Sequence, residues 1–279
     1  KGYDVALLSR QSRHDLDIPT YSWNIDNNEI DKAAIEVADY IIHLAGANIG
    51  EKRWTSKRKR LIIDSRVKSG HLIFSKVKET QNKLKAFISA SAIGYYGTIT
   101  TDKIFSESDQ PSNDFLGEVC KQWEQSVDSF KKLGVRTVKI RTGVVLTKQG
   151  GALAKMITPI LFGIGSAFGN GKQYLTWIHI DDLCRAFVHA IETNEMSGVY
   201  NLVAPEPVTN KEMVIGIAHA MNGKFFIPFK VPTFLLKLIL GEMSIEVLKS
   251  ATVDSSKIQA TGFNFIYSNV KSALRHLIG

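Results

Sequence analysis

KGYDVALLSR, residues 1–10, opens the chain. Within it Val5-Ala6-Leu7-Leu8 is an apolar run with no polar alternation. Such a run reads as a strand buried on both faces of a parallel sheet. It ends in a polar tip, Ser9-Arg10, with Arg13 close behind. A strand of this kind needs neighbours, and similar runs follow. DYIIHLAGA (39–47) is a second run, ending in small residues. KAFISASAIGYYG (85–97) is a third, leading into a tyrosine turn, and VRTVKIRTGVVL (135–146) is a fourth. Helix-length segments at 57–78 and 115–133 separate them, the second with Gly134 as its stop. Buried strands alternating with helices specify an α/β fold with a mainly parallel sheet.

After Gly150 the texture changes. LFGIGSAFGNGKQY (161–174) is glycine-rich and reads as a loop. TWIHIDDLCRAFVHAIE (176–192) reads as a short strand entering a helix, and GVYNLVAP (198–205) as a further strand. From about residue 205 the chain reads as helical, with breaks at Pro228 and Pro232. FLLKLIL (234–240) reads as a helix buried in a small lobe. The expected division is a main α/β domain over 1–150 and about 172–204, which the resemblance given below implies is a dinucleotide-binding Rossmann domain. A smaller, mainly helical lobe would take about 151–171 and 205–279.

The 279 residues, 44% hydrophobic and 22% charged, have the composition of a soluble globular protein. A net charge of +8 favours anionic ligands without naming one. The densest basic run, KRWTSKRKR (52–60), reads as a solvated helix face. Beyond Trp54 it carries no interleaved aromatics, so no nucleic-acid partner is expected. Cys120 and Cys184 show neither CxxC spacing nor a neighbouring His cluster, so no metal site and no disulfide are expected. A reducing cytoplasm is the simplest setting. No run approaches the ~18 apolar residues of a membrane span.

In open parallel sheets, ligands bind outside the carboxyl ends of the strands. Here Ser9-Arg10, Ala45-Gly46-Ala47, the 89–97 stretch and Arg141-Thr142-Gly143 put small or polar residues where each apolar run stops. That placement fits a binding crevice.

VALLSR, IIHLAGANI, FISASAIGYYG, VKIRTGVVL, WIHIDDLCRAF and GVYNLVAP together resemble the extended short-chain dehydrogenase/reductases. RWT (53–55), GYYG (94–97), WE (123–124), GGAL (150–153) and WIHIDD (177–182) narrow the resemblance to the atypical "epimerase family" branch. It covers essentially the whole chain. It implies a Rossmann-like doubly wound sheet, with a small C-terminal domain of its own. Members of this group begin with a strand and a glycine-rich turn that cradles the cofactor pyrophosphate. Neither is in the sequence as given, so VALLSR is expected to be the second strand and the chain to be truncated.

At the tip of that strand, an acidic residue would favour NAD by accepting from the ribose 2′-hydroxyl. An Arg suits the 2′-phosphate of NADP. Ser9, Arg10 and Arg13 therefore point to NADP over NAD. The resemblance places Leu44, Ala45 and Gly46 under the adenine and pyrophosphate side. It places Ser89 near the nicotinamide, and Arg141 at a third strand end of the same crevice.

The superfamily normally uses a Tyr and a Lys four residues apart on one helix, the cation lowering the phenol's pKa. In FLGEVCKQWE, counting back from Glu124, the two slots fall on Leu116 and Cys120. One register away they fall on Phe115 and Val119. The usual pair is absent in either register. Ser91 is the expected counterpart of the catalytic serine, and Tyr95 and Tyr96 are the candidate phenols. Two readings stay open: an NADP-dependent oxidoreductase or epimerase with a non-standard proton donor, and a dinucleotide-binding sensor or scaffold without turnover. The substrate is a small molecule that the sequence does not identify. Phe225, Phe226, Phe229 and Phe234 either line its pocket or form core. A homodimer through the 57–78 and 115–132 helices is implied by the resemblance, using Leu61, Ile62, Val67, Leu72, Phe115, Leu116 and Trp123.

Overall fold

A computed structural model describes residues 2–11, 17–81, 83–97, 100, 102–221 and 227–279. The first strands are β1 (Leu7–Ser9), β2 (Thr20–Asn24) and β3 (Glu29–Ile30), followed by the short helix α1 (Lys32–Glu36) and β4 (Tyr40–His43). β1 pairs in parallel with β2, and β2 antiparallel with β3. Helix α2 (Ser56–Thr80) is capped by Thr55, whose hydroxyl accepts from the Arg58 backbone N–H. It ends at Gln81 in the left-handed region. Next come β5 (Ala86–Ala92), a 3₁₀ turn over Ile93–Tyr96, and β6 (Ile104–Phe105). Helix α3 (Phe115–Asp128) is capped by Asp114 and leads through a second 3₁₀ turn to Gly134, at φ 72°. β7 (Arg136–Thr142) follows.

The central sheet has the order β12-β7-β5-β4, with β12 (Gly198–Leu202) on one edge, and all its pairs are parallel. α2 and α3 cover one face through a cluster that includes Leu72, Ile73, Phe87, Trp123 and Phe130. The other face is closed by Ile88, Ile140, Ala186, Phe187 and Leu202, joined by Ile258 and Phe263 from near the C-terminus. Among the described residues, β1 and β4 each have a partner on one side only. On the β4 side Ile42 and Leu44 are exposed.

The fourth apolar run does not continue as one strand. At Gly143 the chain leaves the sheet, and β8 (Val144–Leu146) pairs instead with β11 (Trp177–His179). A Cβ on Gly143 would stand 2.8 Å from the Thr176 carbonyl oxygen, so only glycine fits the crossing. Between these strands lie α4 (Gly151–Leu161), β9 (Ile164–Phe168) and β10 (Tyr174–Leu175). α5 (Ile180–Glu192) follows β11. After β12 come β13 (Val208–Thr209), α6 (Asn210–Ala220), β14 (Ile227–Val231), α7 (Thr233–Leu240), α8 (Ser244–Leu248), β15 (Thr252–Val253), α9 (Ser256–Gln259) and α10 (Val270–Ile278). α4, α6 and α10 share a second core around Leu153, Trp177, Met213, Ile217 and Leu274. No helix among the described residues is long and apolar enough to cross a membrane.

Three expectations are corrected. The glycine-rich 161–174 stretch contains a strand: β9 pairs in parallel with β14 across some sixty residues, a partner that local composition does not announce. Pro228 accordingly lies within β14, where a two-stranded ribbon leaves an edge that tolerates proline. FLLKLIL is helical but not buried as a whole. Leu236 is buried, while Phe234, Leu238 and Ile239 are exposed. Phe225 and Phe226 lie outside the described residues. The basic run is also more than a solvated face: Arg53 donates to the Leu238 carbonyl at 2.6 Å, and Lys59 pairs with Glu242, tying α2 to the C-terminal lobe. Of the positions named for a dimer, Ile62, Leu72, Leu116 and Trp123 are buried within this chain, and Leu61 remains exposed.

Candidate functional site

The sheet register lines up Ser91 of β5 with Arg141 of β7, and Arg141 with Asn201 of β12. The three form one row across the carboxyl ends of the strands. Arg141, 2% exposed, grips Glu124 of α3 with two nitrogens: Nε donates to Oε1 at 2.7 Å and Nη2 to Oε2 at 2.9 Å. Its Nη1 donates to the Tyr96 hydroxyl at 3.0 Å, which in turn donates to Asn201 Oδ1 at 2.7 Å. Ser91 Oγ donates to Glu124 Oε1 at 2.8 Å. Tyr95 lays its ring over the Arg141 guanidinium, 3.3 Å from centroid to Cζ. Burial opposes the charge on Arg141, but the Glu124 carboxylate outweighs it and holds the guanidinium's pKa above its ordinary value.

This network changes the roles expected of the three candidate catalytic groups. Ser91 is 2% exposed and its proton is committed to Glu124, so it does not offer that proton to a substrate oxygen. Tyr96 is 2% exposed, donates to Asn201, and has its phenol pushed up to about 12 by burial. Both side chains are tied into the network, Ser91 to Glu124 and Tyr96 between Arg141 and Asn201. Tyr95 alone stays part-exposed. Burial raises its pKa, and Arg141 opposes that rise. The Leu116 and Cys120 slots are buried under the tyrosine turn: a Cβ on Gly94 would lie 3.2 Å from Leu116 Cβ and 3.7 Å from Cys120 Sγ. Burial, reinforced by Glu124, pushes the Cys120 thiol to about 12, so it is neither nucleophile nor base at neutral pH.

Of the candidate cofactor residues, Ser9 and Arg10 stand at the tip of β1, where the Ser9 hydroxyl accepts from the Gln11 N–H. Arg10 is exposed and lines an open cavity of about 540 Å³ with Ser22, Trp23, Asn24 and the carboxylate residues Asp26, Glu29 and Asp31. Asp31 is spent as the cap of α1. Arg13 lies outside the described residues. Leu44, Ala45 and Gly46 leave the end of β4 with Leu44 and Gly46 exposed. Ser89 is fully buried, its hydroxyl 3.1 Å from His43 Nδ1 and donating to the Ala90 carbonyl. Arg141 turns its fork to Glu124.

Sequence reasoning missed five groups. Glu124 was visible only as a landmark beside Trp123. Asn201 and Glu107 meet across 94 residues, where the Asn201 N–H donates to Glu107 Oε1 at 2.7 Å. From the C-terminal lobe, Lys249 reaches the Gly97 carbonyl at 3.3 Å and pairs with Glu246 at 2.6 Å. Burial holds the Glu246 carboxyl above its ordinary pKa, against the pull of Lys249, and its Oε1 is buried without a hydrogen bond. No local pattern marks any of these.

His179, Asp181 and His276 bring three potential metal-ligand atoms within 4.8 Å of one another. The hydrogen bonds argue for another use. His179 Nδ1 accepts from the Asp181 backbone N–H at 3.0 Å, capping α5. That fixes the neutral ring's proton on Nε2, which faces His276 Nδ1 at 3.2 Å. A metal on Nε2 would need the opposite tautomer, so the trio reads as a buried cap, His179, joined to exposed His276 of α10.

Residues 1–202 match the model of the NAD dependent epimerase/dehydratase family. The chain belongs to that family. Residues 231–277 of this family member also match a domain of unknown function, DUF1731. Relatives include epimerase family protein YfhF of Bacillus subtilis, 35% identical over 280 residues, covering 100% of this chain and 91% of the relative. Epimerase family protein ML0860 of Mycobacterium leprae is 34% identical over 255 residues, covering 91% and 81%. Among solved structures, human epimerase family protein SDR39U1 (isoform 2) with NADPH is similar at TM-score 0.85 and 27% identity. It covers 99% of this chain and 91% of the human one. The family's Rossmann-like α/β fold is thus shared along the whole chain.

Proposed function

We propose that this epimerase-family protein is an NADP-dependent oxidoreductase or epimerase in which Tyr95 replaces the usual Tyr/Lys pair. The observation that carries the cofactor half is Arg10. It stands exposed at a strand tip that itself carries no acidic residue, and it lines an open cavity whose other walls include Asp26, Glu29 and Asp31. The human relative solved with NADPH supports the same choice. The residues fit such a cofactor: a cationic strand tip, a small-residue turn after β4, and a part-exposed phenol near the carboxyl ends. When bound, NADP supplies hydride chemistry. Tyr95 exchanges the proton at its Oη, and the Arg141–Glu124 pair holds that ring in place from below. In carbonyl reduction Tyr95 gives its Oη proton to the alkoxide left by hydride transfer, so the rate falls as Tyr95 ionises; in alcohol oxidation it must act as phenolate, which its raised pKa makes scarce at neutral pH, so that direction is slow and rises with pH.

The second reading, a dinucleotide-binding protein without turnover, is favoured by the buried Leu116 and Cys120 at the two slots. One experiment separates the two. NADPH and NADH binding are measured by calorimetry for the wild type and Arg10→Ala. Single-turnover hydride transfer from NADPH to a panel of small carbonyl compounds is measured for the wild type and Tyr95→Phe. Arg10→Ala should weaken NADPH about ten- to a hundredfold and spare NADH, since a charge-assisted contact is worth about 1.5–3 kcal/mol. Equal losses sink the NADP assignment. Tight NADPH binding with no transfer to any carbonyl makes the second reading the better one. The unidentified substrate is a small molecule, and a cytoplasmic setting belongs to the same proposal.

A further inference from the structure

Helix α7 and the basic run beside it form a surface that neither the core nor the cofactor reading uses. α7 buries Leu236 and turns Phe234, Leu238 and Ile239 outward, at 72%, 69% and 58% exposure. α8 packs against it and adds Ile245, 47% exposed. Single exposed apolar side chains are ordinary on a protein surface. Four of them on two adjoining helices make a patch, and a patch marks an interaction site. Lys237 stands exposed among them.

The densest basic run of the chain abuts this patch. Arg53 donates to the Leu238 carbonyl, and its Nε lies 3.5 Å from where a Cβ on Gly241 would stand. Lys59 pairs with Glu242, the next residue along. The acids of this neighbourhood are already taken, Glu51 by Arg58 and Glu242 by Lys59. Lys52, Lys57, Arg60 and Lys237 are exposed, and among the described residues no carboxylate pairs with them. An outward apolar face is therefore rimmed by uncompensated positive charge, on a chain whose net charge is +8.

The charge decides what covers it. A second copy meeting this face would bring the same unpaired cations together, and like charges across an interface are costly. A bilayer carrying anionic lipid accepts both halves of the surface. Phenyl and aliphatic side chains enter the boundary between headgroups and acyl chains, and the lysines and arginines meet lipid phosphates. Lys237 lays its stem along the apolar face and keeps its ammonium at headgroup level. We propose that α7 and the 52–60 run are a peripheral docking surface for an anionic bilayer. With eight residues α7 lies along the interface, far short of the ~20 residues that a spanning helix needs.

The test is co-sedimentation of the whole chain with two kinds of vesicle, phosphatidylcholine alone and phosphatidylcholine mixed with phosphatidylglycerol. The wild type is compared with two double variants, Phe234→Ser with Leu238→Ser, and Lys57→Glu with Arg60→Glu. All four side chains are exposed, so both variants should fold, and thermal unfolding checks that they do. The wild type should bind the mixed vesicles, more weakly as salt is added, and should leave the neutral ones. The apolar variant should weaken that binding about ten- to a hundredfold. The charge-reversed variant should weaken it about a hundred- to a thousandfold. No binding to the mixed vesicles overturns the proposal, as does equal binding to both kinds, or wild-type affinity in either variant. Light scattering that finds copies associating without vesicles, and Leu238→Ser separating them, assigns the face to a second copy and overturns it too. So does polyglutamate that binds the wild type as tightly as the mixed vesicles do and the apolar variant equally well, which would assign the face to an acidic protein.

Discussion

Glu124→Ala is the substitution to which the structure assigns the largest cost. It removes both oxygens that hold Arg141, and the guanidinium is 2% exposed and has no second carboxylate among the described residues. Ser91 loses its acceptor as well, and Lys139, 3.8 Å away and 5% exposed, keeps only Asp128. Stranding one partner of a buried ion pair costs about 3–5 kcal/mol. Against a typical domain stability of about 5–15 kcal/mol that is a large fraction. Glu124→Gln keeps the shape and one acceptor and should cost less, about 1.5–3 kcal/mol. The double variant Glu124→Leu with Arg141→Met removes both charges, and it should recover much of the loss because a buried pair is seldom better than well-packed apolar groups. Urea unfolding at pH 7, with m-values compared to confirm an unchanged exposed surface, measures all three. A cost under about 1 kcal/mol for Glu124→Ala, or a double variant that is merely the sum of its singles, refutes the account of this network.

Three more expectations follow from particular contacts. Burial, with Arg66 adding to it, depresses the His43 pKa from 6.5 to about 4. A lowered folded-state value means the proton prefers the unfolded chain, so stability is complete above pH 6.5 and is lost as pH falls toward 4. The loss is about 3 kcal/mol, and His43→Asn should flatten the urea midpoint over that range. Gly143→Ala should cost about 1–3 kcal/mol by overpacking against the Thr176 backbone, with thermal unfolding as the measure, and an unchanged midpoint would show that the β7–β8 crossing has slack. A homodimer through α2 and α3 remains a proposal: light scattering at micromolar concentration should give twice the chain mass, reduced by Leu61→Arg, and a monomer counts against it.

The parts of the fold that were legible in the sequence are those whose physics is local. The runs at 39–47, 85–97 and 135–146 could be recognised because a doubly covered parallel strand has little polar alternation. α2 and α3 could be bounded because Thr55, Asp114 and Gly134 are good caps and stops. β9 was not legible, because its partner β14 lies beyond α6. Arg10 was readable as a strand-tip cation. The surroundings of Arg141 were not legible for a related reason: a strand-end arginine looks the same in sequence whether it meets a phosphate or a buried carboxylate. Only the register, which sets Ser91, Arg141 and Asn201 in one row beneath Glu124, tells the two apart.

That row also bears on the expectation that α3 lacks the usual pair. A tyrosine at 116 and a lysine at 120 would have to fit against Gly94, where Leu116 and Cys120 already make close contact. The space given elsewhere to a phenol and an ammonium is filled here by packing. Cationic character lies instead in Arg141, below the tyrosine turn. Arg141 is neutralised by Glu124 and only grips the Tyr95 ring. An arrangement that uses this arginine to hold the phenol favours positioning the ring over activating it as a base. On the proposed reading, oxidation of an alcohol by bound NADP would be slow at neutral pH and faster as Tyr95 begins to ionise, while carbonyl reduction would slow over the same range.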